Sequence, residues 1–202
     1  MSVKHSISHS QNVESFGFVK SRLYNLTSHW RRKFVQFVAD DIRSRNPRSA
    51  LDIGCGTGDI LVHLRGSGIE LFGIDPSPFM LELAKKNIGR ANPHSLPPVN
   101  LCRGNNRRIP FDREFDIIFS SLSFHHWEER NKSIPAILAK LSRRGEFVIY
   151  EYDRETLSFL RRSVMGKHSL SKADVEALHF DGYTKRVAHS GSVIIVSLHE
   201  AV

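Results

Sequence analysis

The stretch Ser49–Gly58, reading SALDIGCGTG, constrains this chain more than any other. Ser49-Ala50-Leu51-Asp52-Ile53 reads as a buried strand. It runs directly into Gly54-Cys55-Gly56-Thr57-Gly58, and Ile60, Leu61 and Leu64 then fall at helical spacing. Strand, glycine turn and helix in that order form the ligand-binding corner of a parallel α/β sheet. The spacing excludes two relatives of that corner. The dinucleotide pattern wants a sixth-position glycine, and Asp59 stands there, placing a carboxylate where a pyrophosphate would sit at the helix N-terminus. A phosphate-cradling P-loop needs Gly-Lys-Ser/Thr, which is absent.

The beat continues along the chain. Leu71-Phe72-Gly73-Ile74-Asp75 predicts a second strand, with Ser77 as N-cap and Pro78 as first residue of the next helix. Val99–Cys102, Phe115–Phe119 and Phe147–Tyr150 predict three more strands. A helix from about Ile134 to Leu141 is expected to end at Gly145. Strands alternating with helices predict a mostly parallel sheet covered on both faces. Tyr183–Ala188 and Ser192–Leu198, separated by Ser190-Gly191, break the alternation and predict a β-hairpin. Ahead of the sheet, Trp30, Phe34, Phe37, Val38 and Ile42 predict a helix over about 29–45. The expected organisation is a Ser/His-rich tail at 1–12, a helical cap at 13–46 and one α/β domain at 47–202, which suits 202 residues.

Composition narrows the setting. No apolar run reaches the roughly 20 residues of a membrane-spanning helix, and the first dozen residues have no apolar signal core. The two cysteines, Cys55 and Cys102, make no disulfide framework, so a reduced, cytoplasmic protein is expected. The 29 Lys+Arg against 21 Asp+Glu give a net charge of +8, which favours anionic partners. Basic residues come in pairs: Arg31-Arg32, Arg107-Arg108, Arg143-Arg144 and Arg161-Arg162. The 11 histidines form no H-E-x-x-H and there is no C-x-x-C, so no metal site is expected.

A cofactor with positive charge and no phosphate fits this loop. S-adenosylmethionine carries a sulfonium and an ammonium, and Asp52 can hold the ammonium end. Glycines at 54, 56 and 58 let backbone pass close to a ligand. Asp75, at the end of the second strand, can accept both ribose hydroxyl protons. Asn105 and Asn106, after the third strand, offer an amide oxygen to an adenine amino group.

The segments LDIGCGTGD, GIDPSPFMLELAKKN, RIPFDREFDIIFSSLSFHHWEE and LSRRGEFVIYEYDRE resemble the Rossmann-like S-adenosylmethionine-dependent methyltransferases. The similar branch is that of the ubiquinone/menaquinone biosynthesis C-methyltransferases. The resemblance covers about residues 48–153 well. It implies a doubly wound, seven-stranded, mostly parallel sheet with an antiparallel C-terminal hairpin. It further implies cofactor contacts at Asp52, Gly54, Cys55, Gly56, Asp75 and Pro76, and at Met80, Asn105, Asn106 and Ser120. S-adenosylhomocysteine would be the product. The family usually has Gly-Asp-Ala where this chain has Gly104-Asn105-Asn106.

An acceptor that must lose a proton needs a base near neutral pKa. His125 and His126, after the fourth strand, and Glu151, just past the fifth, are the candidates. On an extended segment the two histidines would point to opposite sides. The Asn-Pro-Pro-Tyr type of tetrapeptide used on amino groups is absent, Ser120-Ser121-Leu122-Ser123 standing there instead. The expected acceptor is a small anionic or aromatic molecule. The anionic expectation rests on nine Lys/Arg against three acids in residues 1–50, and on Arg154, Arg161, Arg162, Lys167 and Lys172. The rivals are an RNA methyltransferase, which lacks an aromatic stacking ladder here, and a noncatalytic cofactor-binding subunit.

Overall fold

The computed structural model describes residues 30–90, 97–157 and 169–201. The expected tail at 1–12 and the first part of the cap lie outside the described residues. Helix α1 occupies 30–44. It is followed by β1 (Ser49–Ile53), α2 (Asp59–Leu64), β2 (Glu70–Asp75), α3 (Pro78–Arg90) and β3 (Asn100–Arg103). Next come β4 (Phe115–Ser121), a 3₁₀ turn at Phe124–His126, α4 (Arg130–Leu138) and β5 (Leu141–Asp153). The chain closes with β6 (Ser169–Leu170), α5 (Lys172–Glu176), β7 (Tyr183–Ser190) and β8 (Val193–Glu200).

The sheet order is β3-β2-β1-β4-β5-β8-β7. Pairings from β3 through β5 are parallel, while β5–β8 and β7–β8 are antiparallel. This is the Rossmann-like arrangement expected, with one addition. An eighth strand, the two-residue β6, pairs in parallel with Tyr152 and Asp153 at the far end of β5. A strand this short leaves no periodicity to read. The switch in strand order falls at β1/β4, so the crevice lies at the C-terminal ends of these two strands.

Burial explains why the strands read as apolar runs. Every residue of β1 is buried, and so is every residue of β2 after Glu70, as a sheet covered on both faces requires. One face packs Phe34, Val38 and Ile42 of α1 and Leu61 and Leu64 of α2 over Phe119, Val148 and Tyr150. The other packs Ile134 and Ile137 of α4 and Trp127 over Phe115, Phe147 and Ile149. Local signals agree with the packing. Ser77 Oγ accepts from Met80 N at 3.3 Å ahead of Pro78, and Ser171 and Asp174 form a capping box on α5.

One boundary differs from the sequence reading. Gly145 does not end a helix. Helix α4 stops at Leu138, and β5 runs from Leu141 through Gly145. Between Phe115↔Leu141 and Ile117↔Glu146 the register slips, so Arg143, Arg144 and Gly145 form a bulge. The glycine does break the local pattern, but inside a strand rather than at the end of a helix.

Phe115 is fully buried, with its ring 5.1 Å from Phe72 in an edge-on arrangement. Phe115→Ala is expected to cost about 3–5 kcal/mol, read as a fall of roughly 10 °C or more in melting temperature. Val187→Ala, on the exposed edge strand β7, is expected to stay within about 0.5 kcal/mol. Thermal denaturation of the two variants checks the placement of the core.

Candidate active site

The glycine turn is hooked onto the end of β2 by backbone. Gly54 N and Cys55 N both donate to the Ile74 carbonyl, at 2.8 and 3.0 Å. Gly56 N donates to Asp75 Oδ2 at 3.0 Å, and Ser77 N to Asp75 Oδ1 at 2.8 Å. Each oxygen of Asp75 thus makes one backbone bond and retains a lone pair for another donor.

The glycines have different reasons. Gly54 has φ +80°, and a Cβ there would lie 2.1 Å from Ser123 Oγ, so this glycine admits the loop after β4. Gly56, at φ +51°, would meet nothing within 4 Å and faces open space. Gly58 packs on Ala84 of α3. Of the three, only Gly56 has the room at its backbone that a ligand needs. Cys55 is buried in the core beside Gly73, and burial pushes its thiol far above the usual range. Its side chain is packing, and any ligand contact falls to its backbone.

Two buried polar atoms at this edge have no hydrogen-bond partner: Asp52 Oδ1 and Ser120 Oγ. Asp52 is 1% exposed and Ser120 0%. Such orphans are costly and point to a missing donor. Burial, and then the charge of Asp75, push the Asp52 carboxyl well above the ordinary carboxylate range. A cationic group placed there would satisfy the oxygen and restore its charge.

Beyond β2, Pro76 and Met80 are exposed, Met80 by 37% and its neighbour Phe79 by 67%. They leave an apolar shelf beside Asp75. A cavity of about 530 Å³ is lined by Pro76, Arg103, Gly104, Asn105 and Arg108. Asn105 behaves differently from the expectation, because its Oδ1 accepts from Arg107 N and Arg108 N at 2.9 and 3.0 Å. The amide oxygen expected to meet an adenine amino group closes an Asx turn instead. Asn106 donates from Nδ2 to Ser133 Oγ at 3.0 Å.

The candidate acid–base residues converge. Glu151 is fully buried at the end of β5, and both its oxygens lie 3.1 Å from His125 Nδ1. His125 Nε2 lies 2.9 Å from His126 Nε2, with the ring centroids 3.9 Å apart. The segment is a 3₁₀ turn rather than extended, so the two histidines share a side instead of pointing apart. Arg130 holds the turn from below: it donates to the His125 carbonyl at 3.3 Å and stacks on Phe124 at 4.6 Å.

Two features were not legible in the sequence. Ser123 packs against Gly54 and accepts from Trp127 Nε1 at 3.2 Å. Arg31 of α1 reaches across to the glycine turn, donating to Thr57 Oγ1 at 3.1 Å and pairing with Asp59. The Asp59 carboxylate is therefore neutralised, and its expected repulsion of a pyrophosphate is weaker than the spacing alone implies.

With this geometry in place, the comparisons with known proteins are informative. Residues 51–149 match the family model described as a methyltransferase domain. Over this stretch the chain is similar to methyltransferase domains. An uncharacterized methyltransferase of Alkaliphilus oremlandii is 32% identical over 133 residues, 61% of this chain and 58% of that protein. The demethylmenaquinone methyltransferase of Thermotoga maritima is 29% identical over 63% of this chain and 52% of that protein. The chain thus spans just over half the length of these curated relatives. Among solved structures, the plantazolicin methyltransferase BpumL, crystallised with a triazolic desmethylPZN analogue and SAH, superposes with TM-score 0.68 at 17% identity over 92% of this chain and 93% of that one. The PH0226 protein of Pyrococcus horikoshii gives 0.67 at 21% identity, over 87% and 91%. The domain's fold is that of the methyltransferases. No helix among the described residues is long and apolar enough to cross a membrane.

Asp52 yields a prediction with a definite sign. Its folded pKa is raised above the unfolded value, so the folded state binds the extra proton between the two. Stability then falls as pH rises from the ordinary carboxylate value, about 4, through the raised one. Asp52→Asn is expected to flatten that decline and to raise the melting temperature of the unliganded protein at pH 7. Thermal unfolding from about pH 4 to 8 checks it; a variant less stable than wild type at pH 7 contradicts the assignment.

Proposed function

We propose that the methyltransferase domain uses S-adenosylmethionine to methylate a small aromatic molecule, and that His126 removes the proton the acceptor loses. The observation that carries this reading is the chain Glu151–His125–His126. A carboxylate with 0% exposure fixes one ring nitrogen of His125, and the other ring nitrogen meets His126, the exposed member of the pair. In the neutral tautomers His125 Nδ1–H donates to Glu151 and His126 Nε2–H donates to His125 Nε2. That leaves His126 Nδ1 unprotonated, in the state a base requires. Once His126 takes a proton on Nδ1, its Nε2 proton can shift to His125, where Glu151 balances the charge.

The cofactor would supply an electrophilic methyl on a sulfonium. The corner fits it: Asp52 Oδ1 and Ser120 Oγ are buried without partners, Gly56 leaves open space, and Asp75 keeps lone pairs for two ribose hydroxyls. Met80 and Pro76 offer an apolar side to the adenine. The alignment of acceptor, methyl and sulfur can lower the barrier by roughly 7–11 kcal/mol.

The acceptor reading is aromatic rather than anionic. At the C-terminal end of β5 a cavity of about 330 Å³ is lined by Trp30, Phe34, Phe37, Tyr152, Leu157 and Val193, with Lys33 at its side. The basic residues behind the anionic alternative give it less support. Arg154 is bonded to Ser169, Lys172 pairs with Glu176, and Arg31 pairs with Asp59. Arg161, Arg162 and Lys167 lie outside the described residues.

Labelled cofactor and cell extract would first identify the acceptor. His126→Ala is then expected to lower kcat about 10²–10⁴-fold and to abolish the acidic limb of the pH profile, with S-adenosylhomocysteine affinity unchanged. Asp75→Ala is expected to weaken that affinity at least about tenfold, since bonds to a charged group contribute about 1.5–3 kcal/mol each. Calorimetry and steady-state kinetics separate the two. An unaltered pH profile in His126→Ala removes the base from the proposal, and an unaltered affinity in Asp75→Ala removes the cofactor map.

A further inference from the structure

In every arginine pair within the described residues but one, a member has a carboxylate partner: Arg31 with Asp59 and Arg107 with Glu129. Arg143-Arg144 is the exception. Among the described residues neither has an ion pair or side-chain hydrogen bond, and the same holds for Arg186 on β7. All three are exposed. They line one cleft of about 640 Å³ together with Arg45, Glu146, Ser197, His199 and Glu200. Arg45 and Glu146 pair with each other at 2.5 Å and largely cancel. What remains is three unpaired guanidiniums and an imidazole against one carboxylate, Glu200.

The backbone is shaped to present two of these charges. Between Phe115↔Leu141 and Ile117↔Glu146, β5 carries more residues than β4 opposite it, and the excess folds into the bulge. Arg144 sits in it at φ +70°, a conformation that a residue with a Cβ rarely adopts. Gly145 beside it is packed tightly, since a Cβ there would lie 2.9 Å from the Phe115 carbonyl. Strain held in a close-packed bulge that projects two adjacent arginines is an unusual expense unless those side chains have work to do.

The cleft is not the methyl-transfer site. It lies at the N-terminal end of β5, while Glu151 lies at the other end. Glu146 and Glu151 are five residue steps apart along β5, about 16 Å, and Arg144 is farther still.

We propose that this cleft binds phosphate groups, as a ligand carrying two or three of them in sequence. Guanidinium forks match phosphate oxygens bidentately, and three converging forks fit more than one anionic centre. Among the described residues no Phe, Tyr or Trp lines the cleft, and the guanidiniums that dominate it match phosphate oxygens first. A free polyphosphate compound and a nucleic-acid backbone share that chemistry. The inference does not depend on the proposed methyl acceptor.

The test is calorimetry on the full chain with inorganic tripolyphosphate, and with short and long uridine oligonucleotides, at about 50 and 200 mM salt. Tripolyphosphate is expected to bind saturably, one per chain, and more weakly at the higher salt. The double variant Arg143→Glu/Arg144→Glu, and Arg186→Glu alone, are expected to lose at least about tenfold in affinity, roughly 1.4 kcal/mol. The charge-matched control Lys86→Glu/Arg90→Glu on α3 is expected to change it less than threefold. Arg144→Gly guards against misfolding, because glycine adopts the positive φ without strain: it is expected to raise the melting temperature while weakening binding. Affinity that rises with oligonucleotide length and is lost in the same variants assigns the phosphates to a nucleic-acid backbone, and affinity independent of length assigns them to a free ligand. Absence of saturable binding by either probe, or equal loss in the α3 control, overturns the proposal.

Discussion

One carbonyl organises the candidate active site. Ile74 O accepts from both Gly54 N and Cys55 N, so the chain cannot leave β1 without turning over the end of β2. That turn brings Gly56 N onto Asp75 and sets Asp52 and Asp75 close enough for the charge of one to raise the pKa of the other. The loop after β4 then closes on the same turn through Ser123 and Gly54, and α1 fastens it from outside through Arg31. The crevice is held by backbone bonds and close packing, both of which resist small displacements.

The charge distribution follows from what such a crevice must do. The chain as a whole is basic, yet its C-terminal sheet edge buries four acids, Asp52, Asp75, Glu151 and Asp153. Three are compensated within the protein: Asp75 by backbone N–H groups, Glu151 by His125 and Asp153 by His189. Asp52 is not, and its orphan oxygen destabilises the unliganded fold. Functional sites commonly retain such a cost because the ligand removes it. The surplus positive charge lies elsewhere, and part of it gathers at the opposite end of β5.

Much of this was legible from local pattern. The strand–glycine–helix corner, the capped start of α3 at Ser77-Pro78 and the closing hairpin are short-range signals, and each occurs where the spacing put it. What escaped was anything depending on partners distant in sequence. Gly145 marked a break, but only the pairing with β4 made it a bulge within a strand rather than the end of a helix. Asn105 was a reasonable amide acceptor until its oxygen closed a turn on Arg107 and Arg108. Asp59 read as a lone repulsive charge until Arg31, 28 residues away, neutralised it.

The sequence by itself determined the sheet class, the glycine corner and the residue types that bear on the chemistry, because those depend on periodicity and on the conformational demands of single residues. Only the tertiary structure decided how they combine. His125 and His126 are adjacent in the chain, but a 3₁₀ turn puts their rings on one side, and a carboxylate 26 residues later orders them. Arg143 and Arg144 were merely a basic pair until the slip in β5 turned them out beside Arg186. Proton relays and charged clefts depend on distances of about 3 Å between distant segments, and no local pattern encodes such distances.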